Sequence, residues 1–153
     1  MRIRLATLAD LDTLASLFDG YRQFYRQAPD RAGARAFLAA RIARGDSVIL
    51  LAENDTKEEE DGSALGFTQL YPAFTSMGMR PIFILNDLFV APQARQRGVG
   101  SALLRAAADH GRAAGAARLT LSTELDNLAA QRVYEANGWE RETRFLSYTL
   151  ALG

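Results

Sequence analysis

The stretch Leu85-Asn86-Asp87-Leu88-Phe89-Val90-Ala91-Pro92-Gln93-Ala94-Arg95-Gln96-Arg97-Gly98-Val99-Gly100-Ser101-Ala102-Leu103-Leu104 decides the fold. An apolar strand runs into Pro92, a basic turn carries two glycines, and an alanine-rich helix follows. Such a junction makes an anion site. Glycines let the chain approach a phosphate closely, and the amides of a first helical turn have no intrahelical acceptor. The helix dipole adds to their pull, and Arg95 and Arg97 place positive charge at the same point, so a diphosphate is the natural ligand. Two common phosphate loops fail on their remaining letters. No Gly-Lys-Ser/Thr closes the loop, as a Walker A motif requires. A dinucleotide fingerprint needs Gly or Ala where Leu103 stands, and the acid it needs downstream would have to be Glu124, at the wrong end of its strand. A tight connection without a ligand is the alternative for Gly98-x-Gly100 taken alone.

Upstream, Arg2-Ile3-Arg4-Leu5 alternates as a half-buried strand does, and Thr7-Leu8-Ala9-Asp10 has the form of a capping box with an acid in the place of Glu. A helix is expected from about Leu8, carried by Leu11, Leu14, Leu17 and Phe18 and fraying beyond Gly20. Pro29-Asp30 opens a second helix that runs to Arg44 and stops at Gly45-Asp46. Strands are expected over 47–53, 64–70 and 82–90, with Tyr71-Pro72 beginning a loop. The acidic run Lys57-Glu58-Glu59-Glu60-Asp61 reads as a solvated hairpin tip; recruitment of a cationic partner is the other reading.

Downstream, a helix over 98–114 is closed by Gly115, a strand covers 117–123, a short helix covers 127–137 with Gly138 as its stop, and 145–150 alternates as a last strand. The order β-α-α-β-β-β-α-β-α-β predicts an α/β (α+β) domain, one mixed, mostly antiparallel sheet flanked by helices.

The 153 residues are 48% hydrophobic and 24% charged, as in an ordinary globular domain, and 1–153 is read as one domain. A chain of that size buries roughly 70% of its unfolded surface and needs no disulfide or structural metal. With no cysteine and His110 as the one histidine, disulfides, thiolate nucleophiles and cysteine-based metal sites are excluded. Catalysis must rest on carboxylates, hydroxyls, phenols or backbone. Eighteen basic against 18 acidic residues give no global pull towards nucleic acid or an anionic membrane. Charges interrupt the N-terminus where a signal peptide needs its apolar run, and no stretch has the ~20 apolar residues of a bilayer span, so a cytoplasmic protein without a membrane partner is expected.

Arg95-x-x-Gly98-x-Gly100, between a Leu-Phe-Val strand and an alanine-rich helix, resembles the acetyl-CoA signature of the GNAT superfamily of N-acetyltransferases. A second block, Asn127-x-x-Ala130-x-x-x-Tyr134-Glu135-x-x-Gly138-Trp139, is similar to that family's later motif and stands at the matching distance. The resemblance implies acetyl-CoA as co-substrate, no metal, a primary amine as acceptor, and a V-shaped split between the 82–90 and 117–123 strands. It implies that the main chain of Leu88, Phe89 and Val90 bonds the pantetheine arm and helps hold the acetyl carbonyl. The pyrophosphate would lie on the amides of Arg95, Gln96, Arg97, Gly98, Val99, Gly100 and Ser101. Asn127 matches a pantetheine-bonding position and is also a good helix N-cap, while Ala130 keeps the helix close to the cofactor.

Tyr134 matches the family's general acid, a phenol that protonates the departing thiolate; a core aromatic is its other reading. Relatives acting on small amines and polyamines often carry Glu where this chain has Asn86, which cannot take a proton. Asp87 is then the nearest candidate base, although strand alternation turns it away from Asn86 and Leu88 unless a bulge re-aims it. Two roles stand open for Asp87, catalytic base and buried structural acid. By analogy Tyr21, Tyr25, Tyr71 and Phe74 wall the acceptor site, with core packing as the alternative, and aromatic faces attract alkylammonium groups. Glu124 is a further carboxylate for a cationic acceptor or a plain surface acid. His110 reads as packing or a surface hydrogen bond rather than catalysis. The expected activity is direct acetyl transfer to a small diamine, polyamine or amino-acid-like amine, with a peptide amine or a non-catalytic acyl-CoA-binding module as rivals and a homodimer as the assembly.

Overall fold

Five strands lie side by side in chain order: β1 (Arg2–Leu5), β2 (Val48–Glu53), β3 (Ala64–Thr75), β4 (Arg80–Val90) and β5 (Leu119–Thr120). The first four pair antiparallel and β5 joins β4 in parallel, in a computed structural model that describes residues 1–55 and 64–153. The acidic run at 57–61 lies outside the described residues. Two compact units divide the chain, Met1–Ser122 and Thr123–Gly153. No helix among the described residues is long and apolar enough to cross a membrane.

The first unit has three layers. Helices α1 (Leu11–Phe24) and α2 (Arg31–Arg44) cover one face of the sheet and α3 (Val99–Ala113) covers the other. On the α1 face Phe18 meets Phe67 edge-on at 6.2 Å, and Gly20 approaches Phe89 so closely that a Cβ would stand 3.1 Å from the ring. On the other face the Phe83 ring lies 5.4 Å from that of His110, the packing role expected of this histidine, and Val90 faces Gly100. Leu14, Leu38, Leu51, Phe67, Leu70, Leu103 and Leu104 fill the two seams and are fully buried. At about 25 cal/mol per Å² of apolar surface, each such side chain contributes roughly 1.5–3 kcal/mol towards holding the layers together.

Several boundaries move. The Thr7/Asp10 capping box forms as expected, but it caps a 3-10 turn over Leu8–Asp10, from which α1 begins at Leu11. α1 does not fray at Gly20; its aromatic end runs on to Phe24, where Tyr25 packs edge-on against both Tyr21 and Phe24. β3 continues through Tyr71-Pro72 to Thr75, where a loop was expected, and β4 starts at Arg80, because the two strands pair along the whole hairpin from Gly66↔Val90 to Thr75↔Arg80. β5 shrinks to Leu119–Thr120, since β4 offers it partners at Phe83 and Ile84 alone.

The second unit holds α4 (Leu128–Ala136), capped by Asn127 and followed by Gly138 with φ +84°. The strand expected over 145–150 does not form. Alternation supplies strand propensity, but a strand exists through its ladder, and this segment pairs with none among the described residues; Leu146 and Tyr148 are more than four-fifths exposed.

Candidate active site

The decisive feature is a register shift in the middle of the sheet. Gln69 pairs with Asp87 while Leu70 pairs with Leu85, so Asn86 is an extra residue in β4, a β-bulge. Side-chain parity therefore reverses there. Phe83 and Leu85 lie towards α3, whereas Asp87 and Phe89 follow Gln69 and Phe67 onto the α1 face. Backbone polarity reverses with it. The Phe83 N–H points to the β5 side, bonding the Arg118 carbonyl at 3.2 Å. Past the bulge the Asp87 carbonyl accepts from Thr68 Oγ1 at 2.8 Å and the Ala91 N–H donates to the Leu65 carbonyl at 2.9 Å, both on the β3 side. Leu88 and Val90 alternate with these, so their main-chain groups turn to the other side, where no described strand pairs with β4 beyond Ile84. Phe89 pairs with Phe67 and turns its main chain towards β3.

On the α1 face Asp87 is 2% exposed and Gln69 is fully buried. Gln69 Nε2 donates to Asp87 Oδ2, and Asn86 Nδ2 donates to Asp87 Oδ1 at 3.0 Å. The Tyr21 hydroxyl donates to the Asn86 carbonyl at 3.3 Å and also faces the Asp87 carboxyl. Burial pushes the proton affinity of Asp87 above the ordinary carboxylate range, against hydrogen bonds from Gln69, Asn86 and Tyr21 that favour the charged form. Burial raises the Tyr21 phenol far above its usual value, and the Asp87 charge adds to it. Tyr71, on the same face by alternation from Gln69, is pushed up to about 12 by burial and by Asp87. Both phenols thus stay neutral donors, and Asp87 is the carboxyl of this cluster, its proton affinity raised by burial. Tyr25 meets Tyr21 edge-on at 5.1 Å. Phe74 alternates onto the other face of β3 and is exposed, away from the three tyrosines.

The β4–α3 junction has the shape of an anion cradle. Gln96 and Gly98 both take left-handed φ, +61° and +77°, and Gly98, the N-cap of α3, supplies no capping side chain. A Cβ at Gly98 would meet nothing within 4 Å, so the space over the helix start is open. Val99, buried beneath, anchors the turn, while Arg95, Gln96 and Arg97 are exposed. The Arg95 guanidinium lies 5.9 Å from the rings of both Phe24 and Phe89, its Nε donating to the Val90 carbonyl at 3.3 Å. It lines, with Phe24, Phe89 and Pro92, a groove of about 470 Å³ between α1 and the junction. These residues fit a diphosphate-bearing ligand.

In the second unit, Asn127 Oδ1 accepts from the Ala130 N–H at 3.3 Å, so its capping role is realised. The Tyr134 ring lies 6.2 Å from that of Trp139. The Glu124 carbonyl accepts from the Asn127 N–H at 3.1 Å. Among the described residues no three acids or histidines gather as a metal site would need. Gln69 is the member of the Asp87 cluster that sequence reasoning missed. Its signal was a carboxamide inside the otherwise apolar run Leu65-Gly66-Phe67-Thr68-Gln69-Leu70.

Comparison with known proteins agrees with this geometry. Residues 14–139 match the model of the acetyltransferase (GNAT) family. An uncharacterized N-acetyltransferase, YhfO, from Bacillus subtilis (strain 168) is 51% identical over 98% of this chain and 97% of its own. The crystal structure of a probable acetyltransferase superposes with a TM-score of 0.92 at 44% identity, over 100% of this chain and 99% of that one. An aminoglycoside N(6')-acetyltransferase type 1 from Salmonella typhimurium (strain LT2) is 31% identical over 58% of this chain and 63% of its own. A five-stranded sheet broken by a bulge at Asn86, an open helix start at Gly98 and these relatives lead to one assignment: the chain is an acyltransferase and belongs to the GNAT family, whose members use acetyl-CoA.

Proposed function

We propose that this enzyme transfers acetyl from acetyl-CoA directly to the primary amine of a small molecule. The observation that carries the reading is the buried Asp87 carboxylate, turned by the Asn86 bulge onto the face that holds Tyr21 and Tyr71 and adjoining the stretch of β4 that lacks a ladder partner. A recessed carboxylate ringed by phenols suits an alkylammonium group far better than a bulky peptide. The family match spans both units, which supports treating 1–153 as one N-acetyltransferase domain.

In this mechanism Asp87 accepts a proton from the acceptor nitrogen. The nitrogen forms a bond to the acetyl carbon, and the Leu88 N–H, turned to the unpaired side, donates to the developing oxyanion. The carbon–sulfur bond then breaks and Tyr134, the residue at the family's acid position, protonates the thiolate. The amides from Arg95 to Ser101 hold the pyrophosphate, and Asn127 and Ala130 serve the pantetheine arm.

The test is thiol release from acetyl-CoA over polyamines, diamines, amino acids, aminoglycosides and short peptides, with wild type and Tyr134→Phe. Turnover on one small-amine class, lowered at least tenfold in the variant, is expected. Acetylation confined to peptides would overturn the acceptor class. Calorimetric binding of acetyl-CoA without turnover of any amine would mark the chain as a binding module.

A further inference from the structure

The buried carboxamide of Gln69 has a cost that packing alone does not explain. Its Nε2 is spent on Asp87, but its Oε1 lies buried without a protein partner. Leaving a buried polar atom unpaired costs stability, and an apolar side chain of similar size would remove that cost. Among the described residues, the one side-chain partner that offsets this cost is the Asp87 carboxyl. A carboxamide also suits both protonation states of a carboxyl. With Nε2 towards Asp87 it donates to the carboxylate; turned about its last torsion, it presents Oε1 to accept from the protonated acid.

We infer that Gln69 is the positioning residue of the general base: its carboxamide clamps Asp87 on the α1 face and turns over to hold the proton Asp87 takes from the amine. This rests on Asp87 being the base. The other groups facing Asp87 are Asn86 on β4, Tyr21 on α1 with Tyr25 edge-on against it, and Tyr71 on β3. Beyond Tyr71 stand Arg41 of α2 and Asp46. Tyr21 and Tyr71 stay neutral across the working range, so a shift in titration caused by substitution at position 69 belongs to Asp87.

The experiment is the pH dependence of kcat/KM with the best amine of the panel, for wild type, Gln69→Leu, Gln69→Glu and Asp87→Asn. Each is paired with thermal unfolding and with the carboxyl 13C titration of Asp87, assigned by its absence in Asp87→Asn. Loss of a donor to the charged form should move the acid limb of Gln69→Leu up by about one to two pH units, with most of the loss recovered above the new limb. Gln69→Glu, which sets a second acid against the first, should move it further. The 13C midpoint of Asp87 should move with the limb in both variants. A packing role predicts the opposite: equal loss at every pH, a lowered unfolding temperature and an unmoved 13C midpoint. Limbs and midpoints that stay at the wild-type pH in both position-69 variants would overturn the inference while leaving Asp87 as base. An acid limb that survives in Asp87→Asn would instead overturn the assignment of the base.

Discussion

On the α3 side of the sheet, Leu70, Leu85, Leu103, Leu104 and Ala107 come together, each 3% exposed or less. On the α1 side of the same strands, equally buried positions hold Gln69 and Asp87, with Tyr21 and Tyr71 over them. One extra residue, Asn86, separates the two surfaces by switching β4 from one parity to the other. The α3 side is where burial stabilises without cost. The α1 side is where burial is spent on raising the proton affinity of a carboxyl, and the first surface offsets the second.

Replacing Asp87 by Asn should break the comparison most. Loss of the proposed base should lower kcat/KM by about 10²–10⁴, measured by thiol release. The same change should help folding, because the folded-state proton affinity of Asp87 is raised above its unfolded value. The favourable contribution of such a group is fully present below its unfolded pKa near 4 and is lost as pH rises through the folded pKa. The stability of Asp87→Asn relative to wild type should therefore climb from about pH 4 upward in urea titrations. A pH-independent gap would mean that Asp87 bears no burial cost.

Leu103→Ala, on the opposite side, should do the reverse. A cavity beside fully buried Leu104 and Leu70 should cost about 2–5 kcal/mol in denaturant unfolding. The acid limb of activity should keep its place, since no group around Asp87 is touched. Smaller is the effect of Gly66→Ala, at the end of the β3–β4 ladder. A Cβ there would stand 2.4 Å from the Phe89 carbonyl, a backbone atom that cannot swing aside, so the strands must part at a cost of about 1–3 kcal/mol. Calorimetry should show weaker acetyl-CoA binding in that variant, because the parted segment leads into the Arg95–Gly98 turn.

The smallest effect is expected at the rim, where polar groups are paired and face water. Arg4 bonds Asp10 at 2.7 Å and Glu53 at 3.0 Å, tying β1 to β2 and to the turn before α1. Arg4→Met should cost about 1 kcal/mol at neutral pH after solvent screening. The Arg4 guanidinium holds both carboxyls below their ordinary range, so this stabilisation is present above their unfolded values near pH 4 and disappears as pH falls through the folded ones. Wild type and variant should converge in acid, as read by thermal unfolding.

Much of this was legible in the letters. The strand–turn–helix junction around Gly98, the cap at Thr7, the antiparallel hairpins and the packing place of His110 are local matters, settled by periodicity, capping chemistry and helix-terminal amides. Two readings of Asp87 stood open because alternation alone turned it away from the site, and a bulge leaves no mark in a pattern of apolar letters. Gln69 escaped for a related reason: a polar residue in an apolar strand announces a partner but not which one. The segment over 145–150 shows the converse, strand propensity without a described ladder to receive it.

The sequence by itself determined most of the element order, the glycine turn that opens α3 and the family, because backbone amides, glycines and hydrophobic period act over a few residues. Tertiary structure decided which face Asp87 occupies and that Gln69 and Tyr21 meet it there. Those outcomes depend on the register between strands distant in the chain, where one inserted residue exchanges the two faces of a sheet.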